Sequence, residues 1–144
     1  MNATESILMQ IIAGFHNRGQ ESEVAKAFQT LFTNGSIKEA SRILTNIINK
    51  NTLDPSNLIP CIEVAVLLRQ HINNDLFYNV YTTHIETAIK KGQYSLEAKA
   101  ISLSCAALLA NDDPRGSLCL NYVREHLGKT WLPDYLIAFR NEAK

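Results

Sequence analysis

Residues 27–51 read AFQTLFTNGSIKEASRILTNIINKN, and this stretch decides the fold class. An apolar-stepped segment stops at Asn34-Gly35, and a second starts at once at Ser36-Ile37-Lys38-Glu39-Ala40. Ser36 with Glu39 three residues on has the form of a capping box, so the pattern predicts a helix start there. Ile37, Ala40, Ile43, Leu44, Ile47 and Ile48 then recur at steps of three and four, which places them on one helical face. Two helices joined through one tight glycine turn predict an antiparallel αα-hairpin.

Reading outward, the same punctuation recurs. A first helix is expected over residues 4–17, with Ile7, Leu8, Ile11, Ile12 and Phe15 on its buried face and Gly19 just past its end. A second runs from Glu21 to Thr33, with Val24, Ala27, Phe28, Leu31 and Phe32 turned inward, and the third spans Ser36 to Lys50. Thr52-Leu53-Asp54-Pro55 reads as a stop and restart, with Asp54 as cap and Pro55 at a first helical position. Pro60 leaves two arrangements open: a fourth helix beginning near Asn57 with Pro60 in its first turn, or a short turn before the helix. Its remainder, Cys61 to His71, is apolar on every side through Val64 to Leu68, which implies a helix covered from two directions. Asn73-Asn74-Asp75 caps a fifth helix running to Lys91, before Gly92. A sixth, about Ser95 to Ala110, carries the Ala- and Leu-rich run and is expected to be the most buried element. Asp112-Asp113-Pro114 opens a seventh ending at Gly128, and Trp131-Leu132-Pro133-Asp134 opens a short eighth. No alternating strand pattern and no long linker interrupts this series. The expectation is all-α: seven or eight antiparallel helices in a hairpin stack, as a short superhelix or compact bundle, in a single domain spanning residues 1–144.

Composition narrows the functional classes. Lys plus Arg and Asp plus Glu both number 14, so the formal net charge is zero with histidines neutral. A duplex-binding domain usually carries a basic surplus to neutralise phosphates, so nucleic acid is an unexpected partner. Cys61, Cys105 and Cys119 are odd in number and lie in apolar helical sequence, which reads as reduced thiols packing as small hydrophobes in a cytoplasmic protein. The N-terminus lacks the basic flank and apolar run of a signal peptide, and residues 100–111 are too short and Ser-containing to span a bilayer.

The Gly35 segment recurs in looser form at residues 92–114. Aligning Ala40 with Ala98 places Glu39 on Glu97, Ile43 on Ile101, Ile47 on Cys105 and Asp54-Pro55 near Asp113-Pro114, with one extra residue between Gly92 and Glu97. Both copies resemble the second-helix half of the tetratricopeptide repeat: a turn glycine, an aliphatic or aromatic residue, Glu-Ala, and a terminal Pro. The early Trp and the Leu-Gly of that family's first helix are absent, with Phe28 roughly where the Gly is expected. The two copies lie 58 residues apart, against a tandem unit of about 34 residues. The resemblance covers about a third of the chain, and implies an adaptor or chaperone-like role.

No signature of catalysis stands out. His16, His71, His84 and His126 lack a second His or Cys at three or four residues, so no metal site is expected. Three of them fall near predicted helix C-termini, where imidazolium meets exposed carbonyls. Asp112-Asp113 before Pro114 reads as a cap rather than an acid–base pair. No nucleophile elbow, phosphate loop or zinc-protease motif is present, so neither enzyme nor cofactor is expected. Aromatic residues concentrate in the second half instead. Tyr78, Tyr81 and Ile85 share one face of the fifth helix, and with Tyr122, Trp131 and Tyr135 they are the candidate partner-binding residues. The expected function is a non-catalytic protein-interaction module that holds a peptide or helix of another protein. A self-associating structural or regulatory subunit is the alternative, and a helical RNA-binding protein a remote one.

Overall fold

The computed structural model describes residues 2–17, 19–50 and 54–128. They form seven α-helices: α1 (Ala3–Asn17), α2 (Glu21–Thr33), α3 (Ile37–Asn49), α4 (Pro55–Leu67), α5 (Asn74–Lys91), α6 (Leu96–Ala110) and α7 (Pro114–Leu127). A single 3-10 turn, Arg69–His71, follows α4, and no strand occurs among the described residues. The expected eighth helix lies outside them. The chain divides at Ile72/Asn73 into two compact units.

In the first unit α1 packs against α2, α4 and α3, and α3 packs against α4. α2 makes only slight contact with α3, so the Gly35 connection brings both helices onto α1 more than onto each other. The turn itself is a Schellman closure: Ser36 N–H donates to the Leu31 carbonyl at 3.0 Å and Gly35 N–H to Phe32 at 3.2 Å. Gly35 sits at φ +66°, a left-handed conformation that costs glycine little. The expected capping box is not formed. Ser36 has φ −95° and ψ 8°, outside the extended conformation typical of a capping residue, and it makes no side-chain cap bond. Glu39 instead lies near Arg42 at 3.8 Å and accepts from Asn2 Nδ2 at 3.2 Å.

Leu8, Ile11, Leu31, Ala40 and Leu44 are fully enclosed, and each such Leu or Ile contributes roughly 1.5–3 kcal/mol on burial. One expected core position is open to solvent. Phe32 is 60% exposed, because α2 turns Ala27 and Leu31 inward and Phe32 falls on its outer side. Ser41 joins the buried face of α3 instead. Asp54 caps α4 by accepting from Asn57 N–H at 3.0 Å, with Pro55 at the helix start. The helix therefore begins before Asn57 and runs through Pro60. That proline is buried in the second turn, and it removes one backbone donor there.

The second unit is an up-down-up arrangement in which α6 packs along α5 and α7. Every residue from Ala100 to Leu108 is buried, so α6 is the enclosed element the composition predicts. Three side-chain caps set the helix starts: Asn73 accepts from Asp75 N–H at 2.9 Å, Ser95 from Ala98 at 3.1 Å and Asp113 from Arg115 at 2.9 Å. Gly116 brings the first turn of α7 against α6; a Cβ built there would lie 2.9 Å from the Leu109 backbone nitrogen.

The aligned segments are only partly alike. Gly35 and Gly92 both have positive φ, and Ala40 and Ala98 are both fully buried. Glu39, however, is about half-exposed, whereas Glu97 is buried and bonded to Lys91 at 2.8 Å.

Candidate interaction surface

The first turns of α5 and α7 are bound together by one arginine. Arg115 donates from Nη2 to Asp113 Oδ2 at 2.8 Å and from Nε to Asp113 Oδ1 at 3.1 Å, a two-pronged grip on the cap of its own helix. Its Nη1 lies 2.9 Å from Asp75 Oδ1, and its guanidinium carbon 4.8 Å from the centroid of the Tyr78 ring. Asn74 completes the junction, donating to Asp113 at 3.1 Å and accepting from Asn111 at 2.7 Å. Hydrogen bonds from the Arg115 side chain and backbone hold the Asp113 carboxyl down at about 2. Those from Asp113 and Asp75 in turn push Arg115 further into its charged form.

Aromatic rings continue from this point along both helices. Tyr78 and Tyr81 stack with centroids 6.1 Å apart and planes inclined by 23°. Tyr81 lies close enough to Cys119, Cys105 and Tyr122 for their charges to influence it, so α5 and α7 run side by side in the same direction. Burial pushes its phenol well above the usual range, and those neighbours add to the shift. On α7, Tyr122 is 43% exposed and lies against His126 at 4.3 Å, while Leu118 is 72% exposed. Ile85, half-buried, stands one turn beyond Tyr81.

Four of the expected partner-binding residues, Tyr78, Tyr81, Ile85 and Tyr122, thus fall on the α5 and α7 helices of one unit. Trp131 and Tyr135 lie outside the described residues. Arg115 and Leu118 share this surface and were not singled out from sequence, and His126, read there only as a helix-end histidine, joins them. Their spacing with Tyr122 (115, 118, 122, 126) is the signal that would have found them.

The remaining polar suspects have structural settings. Asp113 is a helix cap, and Asp112 ends α6 in the left-handed region at φ +56°. His84 faces Glu97, and burial lowers its pKa while the Glu97 charge works the other way. For Glu97, burial acts upward, but the bond from Lys91 and its own backbone bond prevail and the pKa falls. All three cysteines are free and buried. Burial pushes the Cys61 thiol up to about 11; Cys105 is raised by its hydrogen bond with Cys119 and by burial. Among the described residues no three His, Cys, Asp or Glu side chains group as metal ligands, and no helix is long and apolar enough to cross a membrane.

Comparison with known protein families, curated proteins and solved structures gives no match.

Proposed function

We propose that the protein is a non-catalytic interaction module that holds a peptide or helix of a partner protein on the α5–α7 surface. One observation carries this reading: stacked Tyr78 and Tyr81, exposed Tyr122 and Leu118, and the anchored Arg115 converge on one face. Tyr and Arg supply much of the binding energy in protein interfaces, and side chains already held in place lose little freedom on association. The guanidinium is held by two carboxylates and a ring, so it is presented rather than searching. The resemblance of the Gly35 and Gly92 segments to tetratricopeptide hairpins supports an adaptor or chaperone-like role. Three buried free thiols support a cytoplasmic setting.

The test is site-specific photocrosslinking. Full-length protein carrying p-benzoylphenylalanine in place of Leu118 is irradiated in an extract of its own host. The reading expects a discrete adduct with a different protein, weakened by Tyr122→Ala. Absence of any adduct would count against it. A cross-link to a second copy alone, with a dimer seen by light scattering, would favour the self-associating subunit instead.

A further inference from the structure

Two of the three cysteines meet across the seam between α6 and α7. These helices follow one another through a tight turn at residues 111–113 and run antiparallel. Gly116 sets how closely they approach: a Cβ built there would lie 2.9 Å from the Leu109 backbone nitrogen and 3.1 Å from Leu108 Cβ. One turn from that contact, backward from Leu108 and forward from Gly116, stand Cys105 and Cys119. Their thiols hydrogen-bond to each other, and Tyr81 of α5 lies near both. A disulfide needs Cα atoms within roughly 7 Å, closer than the axes of most packed helices. Thiols already in hydrogen-bond contact beside a glycine approach meet that requirement with little backbone movement.

The pair is asymmetric. The hydrogen bond with Cys105 holds the Cys119 thiol below its ordinary pKa against burial, and the Arg115 charge one turn earlier acts the same way. That bond, together with burial, pushes Cys105 up. Cys119 is therefore the thiol that supplies thiolate, the nucleophilic form, while Cys105 keeps its proton. Cys61, in the other unit, is pushed up to about 11 by burial alone. Cys119 is only 3% exposed and Cys105 fully enclosed, which admits a small peroxide and excludes a bulky disulfide oxidant. We propose that Cys105 and Cys119 form an oxidation site at which hydrogen peroxide closes a reversible disulfide between α6 and α7. Cys119 Sγ attacks one peroxide oxygen; the S–O bond forms, the O–O bond breaks, and the departing hydroxide takes up a proton as water. Cys105 Sγ then attacks Cys119 Sγ. The S–S bond forms, the S–O bond breaks, and the second hydroxide leaves as water with the Cys105 proton. The thiols together lose two electrons, and one peroxide is reduced to two waters.

Full-length protein is treated with hydrogen peroxide, then unfolded, alkylated and digested with trypsin. Cleavage after Lys99, Arg115 and Arg124 puts Cys105 on residues 100–115 and Cys119 on residues 116–124. The intact monomer should become lighter by two hydrogens, and its digest should hold these two peptides joined, with Cys61 alkylated. Dithiothreitol should release the joined pair. The two thiols should be consumed at least about tenfold faster than Cys61, since thiolate is the reacting form. Cys105→Ala, one small apolar packer for another, should leave Cys119 as a sulfenic acid that dimedone labels, and Cys119→Ala should leave Cys105 unlabelled. Should either variant fail to fold, the digest of the parent protein decides by itself. Absence of the joined peptides, pairing with Cys61 or with a second copy, oxidation of Cys61 at the same rate, or dimedone on Cys105 in the Cys119→Ala variant would overturn the proposal. No binding partner enters the measurement, so its outcome is independent of the α5–α7 reading.

Discussion

The Arg115 guanidinium lies 4.8 Å from the centroid of the Tyr78 ring while its nitrogens grip Asp75 at 2.9 Å and Asp113 at 2.8 Å. A single side chain thereby ties the start of α5 to the start of α7 and orients the first ring of the aromatic surface. Lysine cannot replace it, because an ammonium lacks the planar fork that binds a carboxylate twice while stacking on a ring. Arg115→Lys should lower the melting temperature by a few degrees. It should also move the Asp113 pKa, followed by NMR titration, upward from about 2 toward the ordinary carboxylate range. An unmoved Asp113 would mean the contact has no energetic weight.

Asp112 holds a left-handed backbone at φ +56°, where a side chain is costly. It closes α6 through a Schellman pair: Asp113 N–H donates to Leu108 at 2.9 Å and Asp112 N–H to Leu109 at 3.1 Å. Asp112→Gly should stabilise the fold by about 0.5–1 kcal/mol, since glycine occupies this region without strain. The check is a higher urea midpoint at unchanged slope.

Gly116 has the opposite requirement. A Cβ there would meet the Leu109 backbone nitrogen at 2.9 Å and Leu108 Cβ at 3.1 Å, and neither is the far end of a flexible chain. Gly116→Val should destabilise by about 1–3 kcal/mol through overpacking of α6 against α7. Gly116→Ala should do so less, with the same sign. Thermal denaturation of the two variants against the parent measures both.

Acidification should weaken the protein in two windows. Burial depresses the His84 pKa below its ordinary 6.5, partly opposed by Glu97, so the unfolded chain takes up the proton first. That contribution is complete above 6.5 and is lost as pH falls through the folded value. Hydrogen bonds from Arg115 depress Asp113 from 3.8 to about 2, so its contribution is held above 3.8 and lost as pH falls toward 2. Urea denaturation across pH should show both declines, and His84→Gln should remove the upper one alone. A profile without a decline between about pH 7 and pH 5 would refute the His84 assignment.

Local chemistry was legible in the sequence. The bounds of α2, α5, α6 and α7, the caps at Asp54, Asn73 and Asp113, and the enclosure of α6 all follow from short-range spacing and from which side chains can accept a first-turn N–H. Helices set by such signals need no knowledge of their neighbours. The shared face of Tyr78, Tyr81 and Ile85 was legible for the same reason.

Which helix meets which was not. Only packing put α2 on α1, left Phe32 in the open, left Ser36 without a cap bond, and buried Glu97 beside Lys91 while leaving Glu39 half-exposed. Only packing brought Arg115 across to Asp75 and Tyr78, forty and thirty-seven positions earlier in the chain. The physical reason is range. Periodicity and capping act within a few residues, whereas a charge or a ring finds a distant partner only after whole helices have chosen the faces they bury.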